Sequence, residues 1–481
     1  MRINYLFMYT WIFVTGIFIS FYNAWGGGAN DCANSFATAV GSKALTLKQA
    51  IIIASVFEFL GALLMGSHVT NTVRKGIVSQ EIFEDNPGAL MYGMLCANLS
   101  SALWLTLATY LKWPVSTTHS IIGAIVGFSL AYGGSDAIVW DKIGYIVLSW
   151  FISPVLAGIF SISLFTLMKK YIFESPNPFQ RTEKMFPILT FFTFFINTLF
   201  IIYKGSPQLD LDELPFEMCF GIAFGISSVL SLMSWFIYLP YAKKRDEMST
   251  IEMSTIEMSA RTDSYTSAVK NHLELGNSID ENIKSVTELL TTLKTDKKNT
   301  AIEAHHDNAF KIDEPSDKLC SWLQIFTSCF SSFAHGSNDV ANAVAPLATI
   351  YSIYQYDTIT TKTDVPIWIL ALGGFGIIIG LATWGYKIIN RIGRELTKIS
   401  PSRGFIIELA AAITIIIASR TEMPISTTHC QVGSVVGCGL SNGKKNINWK
   451  LLKGILFSWF ITLPITGFLS AGLFSFGFYS P

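Results

Sequence analysis

The 481-residue chain has 51% hydrophobic but only 14% charged side chains, and its 34 basic and 34 acidic residues give a formal net charge of zero. A large soluble domain would hold about a quarter charged residues. A neutral chain has no basic footprint for nucleic acid, so none is expected as a partner.

Long apolar runs follow one another at about 4–25, 47–66, 89–111, 115–133, 143–168, 186–204, 216–240, 320–351, 366–386, 404–420, 429–440 and 451–473. Several match the roughly 20 residues that cross a hydrocarbon core. One such run can be a buried core helix, but a dozen in one chain cannot. The expected fold class is an all-α polytopic membrane bundle of about twelve transmembrane segments. The first run does not read as a signal peptide, since only Arg2 flanks it and no clear small-residue cleavage site follows.

In chain order, the first run ends in Gly26-Gly27-Gly28, and Asn30, Asp31 and Asn34 then interrupt an apolar stretch. Ionisable groups in a membrane are costly unless paired or hydrated. Carboxylate and amide oxygens at i, i+1 and i+4 can converge where a helix breaks, as hard ligands for a small cation such as sodium. The alternative is hydrogen bonding between small-residue helix faces. Glu58 follows, alone in an apolar run, as a candidate cation-binding or charge-coupling acid; a structural hydrogen bond is its competing role. Asn98-Leu99-Ser100 formally matches a glycosylation site but lies inside an apolar run.

Next comes Pro114-Val115-Ser116-Thr117-Thr118-His119. Proline ends or kinks a helix, and the three hydroxyl residues open a new one. Free N–H groups and the helix dipole at such a start favour an anion, with Ser116, Thr117 and Thr118 as added donors. Plain N-capping is the competing reading. His119 fits a hydrogen bond to the groups that hold the ion, contact with the anion, or packing at the helix start, without the ligand spacing of a zinc site.

Residues 1–240 read as a first membrane half and 320–481 as a second. Between them, 241–319 holds 11 basic and 15 acidic residues and a five-residue repeat marked by Met248, Met253 and Met258, so it reads as a charged, solvated, disordered linker. The second half repeats the first. Asn338, Asp339 and Asn342 match Asn30, Asp31 and Asn34 at an offset of 308, preceded by His335 and Gly336. Pro424, Ser426, Thr427, Thr428 and His429 match the first hydroxyl motif at an offset of 310. Ser458-Trp459-Phe460 repeats Ser149-Trp150-Phe151, so the duplication spans about 20–170 of the first half. Glu408 is a second lone acid, and its counterpart by offset is Asn98.

Charge orients the copies. The connection 387–403 has Lys387, Arg391, Arg394, Lys398 and Arg403 against Glu395 alone and reads cytoplasmic, as do 169–185 and the linker. The first-half equivalent, 69–87, has two basic against three acidic residues and fits the outside. The halves therefore point opposite ways. Run 320–351 is expected to cross as a broken helix, and the site is expected at the repeat interface. Two opposed helix starts can surround a tetrahedral oxyanion. The seven Cys lack CxxC spacing, and Cys96, Cys219, Cys430 and Cys438, in apolar stretches, read as small buried hydrophobes. No Walker loop, Rossmann fingerprint or nucleophile–base arrangement is evident, which disfavours ATP-driven transport and enzyme activity.

These four segments together resemble the inorganic phosphate transporter family, the sodium- or proton-coupled phosphate permeases. The resemblance implies a twelve-crossing inverted-repeat bundle with two re-entrant hairpins in the cell-surface membrane, often working as a dimer. Phosphate and co-transported sodium are its implied partners, with no bound cofactor. It implies cation-site roles for Asp31 and Asp339 with Asn30, Asn34, Asn338 and Asn342, and transport roles for Glu58 and Glu408. Proton coupling, or another oxyanion such as sulfate, is the alternative.

Overall fold

The computed structural model describes residues 2–76, 78–204, 214–244, 309–359, 365–420 and 425–480. The bulk of the charged segment, 245–308, lies outside them, so the expectation of a disordered linker falls there. Residues 314–319 form the first turn of a helix.

The described chain is helical. Helix α1 (Arg2–Gly27) runs through a π-helical turn at Gly28–Cys32 into α2 (Ala33–Gly41) without leaving helical geometry. Then come α3 (Leu47–Gly76), α4 (Pro87–Tyr110), α5 (Thr117–Gly133), α6 (Trp140–Met168), α7 (Pro178–Lys204) and α8 (Phe216–Met233). The second half holds α9 (Glu314–Tyr356), α10 (Ile367–Trp384), α11 (Tyr386–Asn390), α12 (Pro401–Arg420), α13 (Thr427–Leu440) and α14 (Trp449–Tyr479). Local chemistry sets several starts: Asn86, Asp313 and Asn448 cap α4, α9 and α14 by accepting from Ala89, Ser316 and Leu451 backbone N–H groups.

Among the described residues, seven helical stretches are long and apolar enough to cross a membrane: Leu47–Ser67, Pro87–Tyr110, Trp140–Phe173, Pro178–Tyr203, Phe216–Lys244, Ile367–Trp384 and Trp449–Tyr479. The sequence reading counted about twelve. Part of the difference lies in α9, whose polar residues lower its hydropathy although it is 43 residues long. Another part lies in α5 and α13. At 17 and 14 residues they extend only about 26 and 21 Å, short of the roughly 30 Å core. Large apolar side chains such as Phe151, Phe236, Phe468 and Phe476 face outward, Phe468 being 80% exposed. That is the surface of a protein solvated by lipid, and the chain is a multi-pass membrane protein.

The halves pack by exchange. Helix α5 of the first lies on α14 of the second, α13 of the second lies on α6 of the first, α9 lies on α3, and α1 lies on α10. Backbones nearly touch at these crossings. A Cβ on Gly28 would stand 1.9 Å from the Ile377 carbonyl oxygen, and one on Gly336 would stand 2.2 Å from that of Glu58. These two glycines occupy matching positions in the repeats.

The expected break in 320–351 is absent, because α9 is continuous. Pro346 lies within it and removes the hydrogen bond to the Asn342 carbonyl. Side chains from the first half supply donors instead. Asn23 Nδ2 reaches the Asn342 carbonyl at 3.4 Å, and Asn98 Nδ2 reaches the neighbouring Ala343 carbonyl at 3.2 Å. Asn98 is fully buried, in keeping with its reading as an unglycosylated position.

Gly336→Ala puts a methyl group against backbone that cannot swing away. It is expected to destabilise the protein by about 1–3 kcal/mol. Gly221→Ala in α8, where a Cβ meets nothing within 4 Å, is expected to be neutral. Thermal unfolding in detergent compares the two.

Candidate functional site

The two repeat motifs meet in the middle of the bundle. Asp31 is buried, and its Oδ2 accepts from the Thr117 backbone N–H (3.2 Å) and hydroxyl (2.8 Å). Its Oδ1 accepts from Asn34 Nδ2 at 3.1 Å and from the Thr428 hydroxyl. Asp339 mirrors it, with Oδ1 accepting from Asn342 Nδ2 at 3.0 Å and Oδ2 accepting from the Thr427 hydroxyl at 3.1 Å. The asparagines then cross over. Asn34 Nδ2 donates to Thr428 Oγ1 of the second half, and Asn342 Nδ2 donates to Thr118 Oγ1 of the first, both at 3.0 Å. Sequence offsets pair Asn34 with Asn342 and Thr118 with Thr428, so the two bonds are one contact made twice with the halves exchanged.

Oxygens of Asp31 and Asp339 come within 4.8 Å of each other and of His335. Two carboxylates, hydroxyls and amide carbonyls form a hard-donor set that suits sodium and does not suit a soft metal. Two cavities adjoin the cluster. One is bounded by Asp31, Asn34, Ser35, His335, Thr427 and Gln431, with Asn197 and Phe200 of α7 on its far wall; the other is bounded by Thr117, Asp339, Asn342, Asn23 and His335.

The remaining candidates have other positions. Asn30 clamps the connection after α4: its Nδ2 donates to the Trp113 carbonyl (2.9 Å) and Thr109 Oγ1 (3.0 Å), and its Oδ1 accepts from the Val115 N–H (2.9 Å). With both ends of its amide engaged, Asn30 ties the end of α4 to the segment that leads into α5. Asn338 is half-buried and lines neither cavity. Ser116 and Ser426 are N-caps, accepting from the His119 and His429 backbone N–H groups at 3.3 and 3.4 Å. At the first of these helix starts Asp31 accepts from the Thr117 N–H. Pro424 lies outside the described residues.

His119 and His429 lie ring to ring with centroids 4.8 Å apart, and His429 stacks on Trp459 at 3.7 Å. They join the two short helices and line neither cavity. His335 is central. Its Nδ1 is 3.0 Å from Glu58 Oε2 and its Nε2 is 2.6 Å from Asp339 Oδ2, while Ser332 Oγ donates to Glu58 Oε1 at 3.2 Å. Glu408 sits apart among hydroxyls, accepting from Thr38, Thr327 and Ser328.

Sequence reasoning missed Thr38, Thr327, Ser328, Ser332, Asn197 and Gln431. A signal existed for some of them. Ser328, Ser332, His335, Asp339 and Asn342 recur every three or four residues and so share one face of α9. Ser20, Asn23, Asp31, Asn34 and Thr38 form a similar stripe through α1 and α2.

A lipid-solvated helical bundle with duplicated halves and a shared buried polar cluster defines a membrane transporter rather than an enzyme. The family model "Phosphate transporter family" matches residues 27–470, and the chain belongs to that family. It is 30% identical to "Sodium-dependent phosphate transporter 1" of Mus musculus, over 96% of this chain and 95% of that protein. It is 34% identical to "Inorganic phosphate transporter 2-1, chloroplastic" of Arabidopsis thaliana, over 93% of this chain and 69% of that protein. A solved structure titled "The sodium-dependent phosphate transporter" superposes with a TM-score of 0.75 at 31% identity, covering 98% of this chain and 100% of the other.

Ser116→Ala and Ser426→Ala each remove a cap and are expected to cost about 1 kcal/mol. The apparent melting temperature should fall while the half-saturating substrate concentration stays put. A raised half-saturation at unchanged stability would make the two serines ligands.

Proposed function

We propose that the protein is a sodium-coupled importer of inorganic phosphate working by alternating access in the cell-surface membrane. Two inverted halves, 1–240 and 320–481, rock about the shared cluster, α4–α5 and α12–α13 act as re-entrant hairpins, and 241–319 lies in the cytoplasm. The observation that carries the reading is the exchanged pair Asn34–Thr428 and Asn342–Thr118. A seam built from both halves changes whenever they move, which is what a carried ion must sense. The names of the mouse relative and of the solved structure support sodium as the driving ion.

The contacts suggest how coupling arises. Asp31 and Asp339 occupy the Thr117, Thr427 and Thr428 hydroxyls, the donors a phosphate needs. A sodium ion on the carboxylate oxygens competes for their lone pairs and offsets their charge. The hydroxyls are then released to the anion, and each ligand raises the affinity for the other. Carboxylate and amide acceptors also favour a cargo that carries a proton, as phosphate does near neutral pH and sulfate does not. One observation favours a second reading, proton coupling: the His335 imidazole bridges Glu58 and Asp339.

Uptake of labelled phosphate into proteoliposomes, with sodium replaced by choline at two pH values, separates the two. Sodium coupling predicts loss of uptake in choline at both. Asp31→Asn is expected to lower sodium-driven uptake at least about tenfold and to raise the half-saturating sodium concentration. Wild-type-like coupled uptake by this variant would remove Asp31 from the mechanism.

A further inference from the structure

The two halves are not equivalent at the cavity. Gln431 lies one helical turn beyond Thr427 on the same face of α13, and it lines the cavity with Asp31, Asn34 and His335. It is only 4% exposed, and its Nε2 has no hydrogen-bond partner among the described residues. An unsatisfied buried donor costs about 1–3 kcal/mol, which an anion oxygen within reach would recover. Asn34, which bounds the same cavity, donates through Nδ2 to Asp31 and Thr428, and its Oδ1 is likewise buried without a partner. Among the residues that bound the cavity, Gln431 therefore keeps a spare donor and Asn34 a spare acceptor. In the first repeat the position of Gln431 is taken by Ile121, which is fully buried in apolar packing.

We infer that Gln431 is a specificity-determining residue for the transported anion, its side-chain N–H donating to an oxygen of a protonated oxyanion whose own O–H is accepted by Asn34 Oδ1. The inference rests on the phosphate-transport reading and adds a direction to it. The two-fold scaffold is broken at this position, so the anion is held from α13 and enters in one orientation. A monohydrogen or dihydrogen phosphate matches the donor and the acceptor together. Sulfate offers acceptors only and leaves Asn34 Oδ1 unpaired.

Three variants test this in proteoliposomes: Gln431→Met, which keeps the length and removes the donor; Gln431→Ile, which copies the first repeat; and Gln431→Glu, which sets a carboxylate oxygen against the anion. The phosphate KM is expected to rise about tenfold in Gln431→Met and Gln431→Ile, and further in Gln431→Glu. Competition by sulfate should strengthen relative to phosphate, and half-saturating sodium should stay within about twofold. A parallel readout independent of turnover is the phosphate-dependent rise in unfolding temperature of the purified protein, which should shrink in all three. If Gln431→Glu does not reach the membrane, Gln431→Met carries the test. An unchanged phosphate KM with an improved sodium affinity in Gln431→Glu would make the residue a cation ligand and overturn the inference. Unchanged phosphate and sodium constants in Gln431→Met would reduce it to packing. Absence of phosphate uptake by the unaltered protein is a different outcome, which removes the transport reading itself.

Discussion

The central constraint is the burial of two carboxylates, Asp31 and Asp339, between halves that each supply the other's hydrogen bonds. In a low-dielectric interior an ionised acid is tolerated only with donors around it or a cation upon it. Here most donors are short-range and neutral, namely hydroxyls of Thr117, Thr427 and Thr428 and amides of Asn34 and Asn342, and the His335 imidazole stands against Asp339 as well. Neutral donors hold an acid without locking it, whereas a buried arginine would fix the charge in a strong bidentate pair. On the proposed function, the same groups that make the cluster bearable leave it open to exchange with ions.

The rest of the architecture serves that seam. The Asn–Thr bonds cross over only if backbones from opposite halves approach closely, and Gly28 against Ile377 and Gly336 against Glu58 provide the approach. Continuous helices carry the clusters, so each acid is fixed to a long lever. In the first half a π-helical turn re-aims the polar residues at 28–32, and Asn30 uses that position to grip the neighbouring hairpin. In the second half Pro346 loosens the ladder beside Asn342, and Asn23 and Asn98 from the first half make good the freed carbonyls. That role accounts for the asymmetry between Asn98 and Glu408. One position donates to a carbonyl beside a helical proline, and the other receives hydroxyls from Thr38, Thr327 and Ser328.

Much of this was legible in the residues. Hydropathy identified a membrane bundle, because apolar runs of this length have no other stable setting. The duplicated Asn-Asp and Ser-Thr-Thr motifs marked the site, because polar groups inside such runs must be answered by one another or by a ligand. The helix break expected in 320–351 is absent, because the polar groups of α9 are answered by side chains of other helices, and local sequence carries no information about those neighbours. Ser116 and Ser426 were grouped with the ligands, although their capping geometry differs from that of the threonines beside them.

The amino-acid sequence alone determined the class of protein, the internal duplication and the identity of the acids and hydroxyls in the cluster, since these follow from composition, periodicity and repetition along the chain. Which half each group serves was decided only in three dimensions. Asn34 reaches Thr428, Asn342 reaches Thr118, His335 joins Glu58 to Asp339, and Gln431 stands where its repeat partner is isoleucine. Hydrogen bonds act over about 3 Å, and those distances between residues hundreds of positions apart exist only once the helices have packed.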